Sequence, residues 1–163
     1  MRILKYFLPA LICSIITSCS AGFSKGVKKD LGTGLTASYN GFTLNDIYVV
    51  MDGKKASSNK IPMGKKIYVE AAGVDFYEVV DGKVFPGCSI ILTDKAGKEL
   101  INLPDAFADM NEGLDAKDAS MLDASLNTGE PMQVGETYTL KVRFYDKKKK
   151  ENEIVAQVEL VMI

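Results

Sequence analysis

The chain has 163 residues, 47% hydrophobic and 25% charged, which suits one packed domain with or without an appendage and argues against wholesale disorder. Lys and Arg total 20 against 21 for Asp and Glu, a formal net charge of −1, so the marked basic excess of a general nucleic-acid binder is missing. There is no His, which excludes Ser-His-Asp and Cys-His catalysis and histidine metal sites, and no Trp, the best platform for stacking sugars.

The N-terminus begins with a short positive region, Arg2 and Lys5. It continues into an apolar stretch from Tyr6 to Ile16 that only Pro9 and Ser14 interrupt. That stretch is too short to span a bilayer, for which roughly twenty residues are needed, but it suits the core of a signal peptide. It ends in Ile16-Thr17-Ser18-Cys19. These four residues resemble the lipobox of bacterial lipoproteins, and the whole resembles small lipoproteins of the Bacteroidetes kind. The resemblance implies cleavage before Cys19, a diacylglyceryl group of palmitate-type chains on its sulfur, and usually a further acyl chain on its new amine. Two or three chains give stable anchoring where one would not.

Removal of Arg2 and Lys5 with the leader leaves 18 basic against 21 acidic side chains, a net charge of −3. Cys13 leaves too, and lipid consumes Cys19, so Cys88 stands alone and no intramolecular disulfide can form. Ser20 does not match the Asp that retains enterobacterial lipoproteins in the inner membrane. The acidic cluster that follows the Cys of Bacteroidetes surface lipoproteins is also missing, since the first acidic residue is Asp30. The resemblance therefore implies an outer-membrane lipoprotein facing the periplasm. Residues 1–18 are expected to be the signal peptide, 19–34 the lipidated Cys and a flexible tether, and 35–163 the folded domain.

From about Leu35 onward the dominant period is two. Phe42 to Met51 reads as a strand closed by Asp52-Gly53, Ile67 to Ala71 as another, and Val74 to Val80 as one more. Ser57-Ser58-Asn59-Lys60 formally matches the S-x-x-K of penicillin-recognising enzymes, but neither S-D-N nor K-T-G accompanies it, so it reads as a loop. Cys88 to Thr93 and Lys98 to Leu103 flank a four-residue turn, and Cys88 reads as a small apolar residue buried in a strand. Pro104 precedes a segment, Asp105 to Leu126, rich in Ala, Met and Leu, with Asp115 and Asp118 approximating a capping box. One or two short helices are expected there, with an edge strand over Ala119 to Leu126 as the alternative.

The C-terminus is a hairpin. Tyr138, Leu140, Val142 and Phe144 alternate with polar residues, as do Ile154, Ala156, Val158 and Leu160, across the turn Asp146 to Asn152. Gly64 and Gly135 each precede an alternating strand by three residues. The second copy, running through Tyr138 to Asp146, resembles the penultimate strand of bacterial immunoglobulin-like and fibronectin-type modules. The fold expected is mainly β, a single antiparallel immunoglobulin-like sandwich with the short helices inserted before the last hairpin.

Asp105, Asp109, Glu112, Asp115 and Asp118 are spaced closely enough to be candidate oxygen ligands for calcium. The pattern lacks the Gly and terminal Glu of an EF-hand loop, and acidic side chains also serve as helix caps. Tyr68 and Tyr77 are candidates for a glycan surface, set against ordinary core packing. Lys147 to Lys150 could meet lipid phosphates, or be a solvated turn that discourages edge pairing. No nucleophile–base pair is legible. The expectation is a non-enzymatic, lipid-anchored envelope module without a resident cofactor, meeting the membrane through its anchor and a protein or glycan partner, and no nucleic acid. The alternative is a glycan- or calcium-binding envelope lipoprotein.

Overall fold

The computed structural model describes residues 24–163, so residues 1–18, expected to be a signal peptide, and the lipidation candidate Cys19 lie outside the described residues. Eleven strands follow in chain order: β1 Lys25–Lys29, β2 Thr36–Asn40, β3 Asp46–Met51, β4 Lys54–Lys55, β5 Lys60–Ile61, β6 Lys66–Ala72, β7 Pro86–Asp94, β8 Glu99–Leu103, β9 Met121–Asn127, β10 Thr137–Asp146 and β11 Glu153–Met162. They form two sheets. One runs β1-β2-β11-β10-β7-β8, with β5 added parallel to β11, and the other runs β4-β3-β6-β9. Every other pairing is antiparallel.

Alternation explains how the two sheets join. On β10 and β11 the expected apolar set is buried throughout, and its register is Tyr138 to Leu160, Leu140 to Val158, Val142 to Ala156 and Phe144 to Ile154. On the second sheet Ile47, Val49, Ile67, Val69, Ala71, Leu122, Ala124 and Leu126 are buried, and all belong to the same hydrophobic cluster. Side chains two apart share a face, so each sheet contributes one apolar face to one core. A one-residue slip would turn a whole set outward, which fixes the register.

Four expectations change. No α-helix occurs over Asp105 to Leu126; the segment is a looped strap, a short 3-10 turn at Asp118–Ser120 and then β9, an edge strand. Leu122, Ala124 and Leu126 alternate with exposed Asp123, Ser125 and Asn127, and burial of that period-two face against the core outweighs the helix propensity of Ala, Met and Leu. Val74 to Val80 is a loop whose backbone is held by other elements, and Phe42 to Asn45 precedes β3 rather than starting it. The stretch assigned to a tether contains β1, paired with β2 from Lys25 to Lys29, and then buried Asp30 and Thr33.

The two matching glycines do what their positions suggest. Gly64 and Gly135 both have left-handed φ, 77° and 88°, and their amides donate to Thr128 and Met162. Each turns the chain into its strand where a Cβ would be strained.

Phe144 is fully buried and stacks on Phe107 at 6.3 Å between ring centroids. Phe144→Ala is expected to cost about 3–5 kcal/mol in urea denaturation, whereas Thr139→Ala, on the outward face, should stay within about 0.5 kcal/mol of wild type. Similar losses from both would contradict this placement of the core.

Candidate functional site

The loops at one end of the molecule converge on the turn between β10 and β11. Asp146 and Asn152, both fully buried, close that turn, the Asp146 amide donating to the Asn152 carbonyl at 3.1 Å. The Asp146 carboxylate accepts from the amides of Glu78, at 2.6 Å, and Lys148, at 2.8 Å. The Asn152 side-chain amide donates to the Phe76 carbonyl at 2.7 Å. Gly41 sits against Asn152, where a Cβ would come within 2.0 Å of Oδ1. Two polar side chains from one hairpin thus hold the backbone of the 74–80 loop.

That loop presents Phe76. Its φ is 72°, a region costly for a bulky residue, yet its side chain is 58% exposed, as is Val79 nearby at 59%. Tyr77 turns the other way. Its ring is buried, 4.7 Å from Phe42, and its hydroxyl donates to the Ala119 carbonyl at 3.0 Å. Burial, then the charges of Asp146 and Asp75, push that hydroxyl well above the ordinary tyrosine range, so it remains a donor. Tyr77 therefore packs in the core and offers no ligand surface. Tyr68 does face outward, on the far side of β6, with Lys66 Nζ 5.1 Å from its ring. Tyr48 is its diagonal neighbour on β3, with Lys55 Nζ 4.8 Å from that ring.

The acidic segment is strapped to the same end of the fold. Asp105 accepts from the amides of Cys88 and Phe107 at 3.1 and 2.9 Å and pairs with Lys147 at 2.9 Å. Lys147 also donates to the Phe107 carbonyl at 2.7 Å, so the first lysine of the basic run is a structural tie. Leu114 exchanges backbone hydrogen bonds with Val84, and Asp115 pairs with Lys83 at 2.7 Å. Asp109, Glu112 and Asp118 are exposed. Among the described residues no group of three His, Cys, Asp or Glu side chains is gathered as a metal site. The five calcium candidates are thus divided between structural ties and solvent.

Cys88 is fully buried on β7 opposite Phe144, and its thiol is pushed up to about 12 by burial, with Asp105 and Asp123 adding to the effect. Sequence reasoning missed a second buried carboxylate, Asp30, bonded by the Thr33 hydroxyl at 2.6 Å and paired with Lys55 at 3.3 Å. The turn Asp30-Leu31-Gly32-Thr33-Gly34 carried the signal, since Asp carboxylates and Thr hydroxyls habitually close such turns. No protein-family model matches the chain, and no curated protein matches it.

Three outcomes follow from these contacts. Desolvation works against ionised Asp105, but Lys147 and the two amides prevail and hold its carboxyl below the usual 3.8. A depressed folded value means its stabilisation is present above about pH 4 and is lost as pH falls through the folded value. Asp105→Asn should therefore lower stability at neutral pH and make the acid limb of a denaturation-against-pH curve shallower; an unchanged limb would contradict the assignment. Separately, Phe76→Gly should stay within about 1 kcal/mol of wild type, because relief of left-handed strain offsets the added chain entropy. Tyr77→Ala should cost about 3–5 kcal/mol by the same thermal or chemical denaturation.

Proposed function

We propose that this chain is a lipid-anchored module of the bacterial cell envelope, an immunoglobulin-like β-sandwich that works by interaction and not by catalysis. The observation that carries this reading is the leader ending in Ile16-Thr17-Ser18-Cys19, six residues before β1 begins at Lys25. By resemblance its compartment is the periplasmic side of the outer membrane.

Three features support the immunoglobulin-like part of the reading. The Tyr138 hydroxyl, at the start of the penultimate strand, accepts from the Gln133 amide at 2.9 Å, the contact by which a tyrosine corner ties a strand to the turn before it. The sheet partition, β3, β6 and β9 against β7, β10 and β11, follows the A, B, E and C, F, G division of such domains. The parallel pair of β5 with β11 brings an early segment back beside the last strand. A non-catalytic role is supported by the lack of any His and by the burial of Cys88.

Outward-facing Tyr48 and Tyr68 favour one second reading, a glycan-binding envelope lipoprotein. A glycan array read with and without calcium separates the two. For the leading reading, Cys19→Ala should abolish incorporation of labelled fatty acid and leave uncleaved precursor. Labelling that persists in that variant would overturn it.

A further inference from the structure

The most exposed large apolar side chains of the described fold lie at its N-terminal edge. Val27 is 74% exposed on β1, and Leu31, in the turn that follows, is 85% exposed. β1 is an edge strand, paired on one side only, with β2. Its register places Lys25, Val27 and Lys29 opposite Asn40, Ser38 and Thr36, on the outward face of the sheet. Lys28, half-buried, points to the other side of the strand. None of Lys25, Lys28 and Lys29 is in an ion pair among the described residues, whereas Asp30, the acidic residue that follows, is buried and matched by Lys55. Lys25, Val27 and Lys29 on the outward face, Lys28 on the opposite face of the same edge, and Leu31 in the turn beyond thus line one edge of a mature chain whose net charge is −3.

An apolar edge strand invites pairing with another strand, and lysines along it oppose that. Lysines beside exposed Val and Leu suit a different neighbour, a surface with phosphates above an apolar layer. The chain's own length brings such a surface close. Six residue steps separate Cys19 from Lys25, so β1 begins at most about 22 Å along the chain from the backbone of Cys19.

We propose that the β1 edge, through Lys25, Lys28, Lys29, Val27 and Leu31, rests on the anionic bilayer leaflet that holds the lipid on Cys19. The domain then lies on this edge. Across the sheet, five strand spacings or about 24 Å away, the β8 edge faces away from the membrane. This inference rests on the anchoring reading above, and the tether is what makes the weak surface contact effective.

The absence of Trp provides the probe. Leu31→Trp and, as the control, Leu103→Trp, which is 42% exposed on β8, are each prepared in the full-length lipidated chain. Both are reconstituted into phosphatidylethanolamine–phosphatidylglycerol vesicles, with and without brominated acyl chains. Leu31→Trp should show blue-shifted emission quenched by the brominated lipid, and Leu103→Trp should show neither. Reversal of all three lysines to Glu in the Leu31→Trp chain should abolish the quenching while the protein still floats with the vesicles, since three such lysines contribute on the order of 100-fold to surface association. A chain that floats with Leu31→Trp unquenched would overturn the docking and leave the anchor standing. A blue shift that grows with protein concentration without bromine quenching would assign the edge to a second copy and overturn the docking as well. Failure of the wild-type chain to float would overturn the anchoring reading, and the docking with it.

Discussion

β10 is bonded along both sides, to β7 and to β11, over nine residues each, and the rest of the molecule depends on it. Its alternating Tyr138, Leu140, Val142 and Phe144 form the middle of the shared core. A central strand leaves no backbone group of its ladder to solvent, so shifting it would break two ladders and invert one apolar face together. At its start, the Tyr138 hydroxyl ties down the preceding turn. At its end the chain passes directly into Asp146 and Lys147, which hold two loops that are otherwise distant in sequence.

That arrangement accounts for most of the conspicuous polar residues. Asp105, Asp146, Lys147 and Asn152 satisfy backbone groups of loops brought against the end of a sheet, where irregular chain would otherwise bury unpaired amides and carbonyls. With those groups occupied in holding the fold, what remains to act outward is surface. On the loop end it is Phe76 and Val79, on the β3–β6 face Tyr48 and Tyr68, and along β1 the lysines with Val27 and Leu31. Phe76 is the costliest of these to display, since it combines an exposed ring with left-handed backbone.

The hairpin was readable from sequence because both strands alternate without a break and only one register buries both apolar sets. The β7–β8 hairpin was readable for its turn, in which Asp94 Oδ1 accepts from the amides of Ala96 and Lys98. Over Asp105 to Leu126 two signals competed, helical propensity and the period-two run from Leu122. Tertiary burial decided for the strand, which no local score contains. β1 escaped because Gly26 and the flanking lysines look like a linker. Gly26 is in fact the place where the Tyr39 ring crosses the strand, a contact set by pairing and invisible to composition. The calcium candidates were close in sequence, but a carboxylate's neighbours in the fold decide its work, and Lys147 and Lys83 come from other elements.

β1 starts six residues after Cys19, which ends a segment that resembles a lipobox, and the proposed anchoring requires this cysteine to carry the lipid. Mass spectrometry of the mature protein extracted from cell membranes tests it most directly. The expected result is an N-terminal peptide that begins at Cys19 and carries two or three acyl chains. A mature N-terminus elsewhere, or an unmodified Cys19, would contradict it.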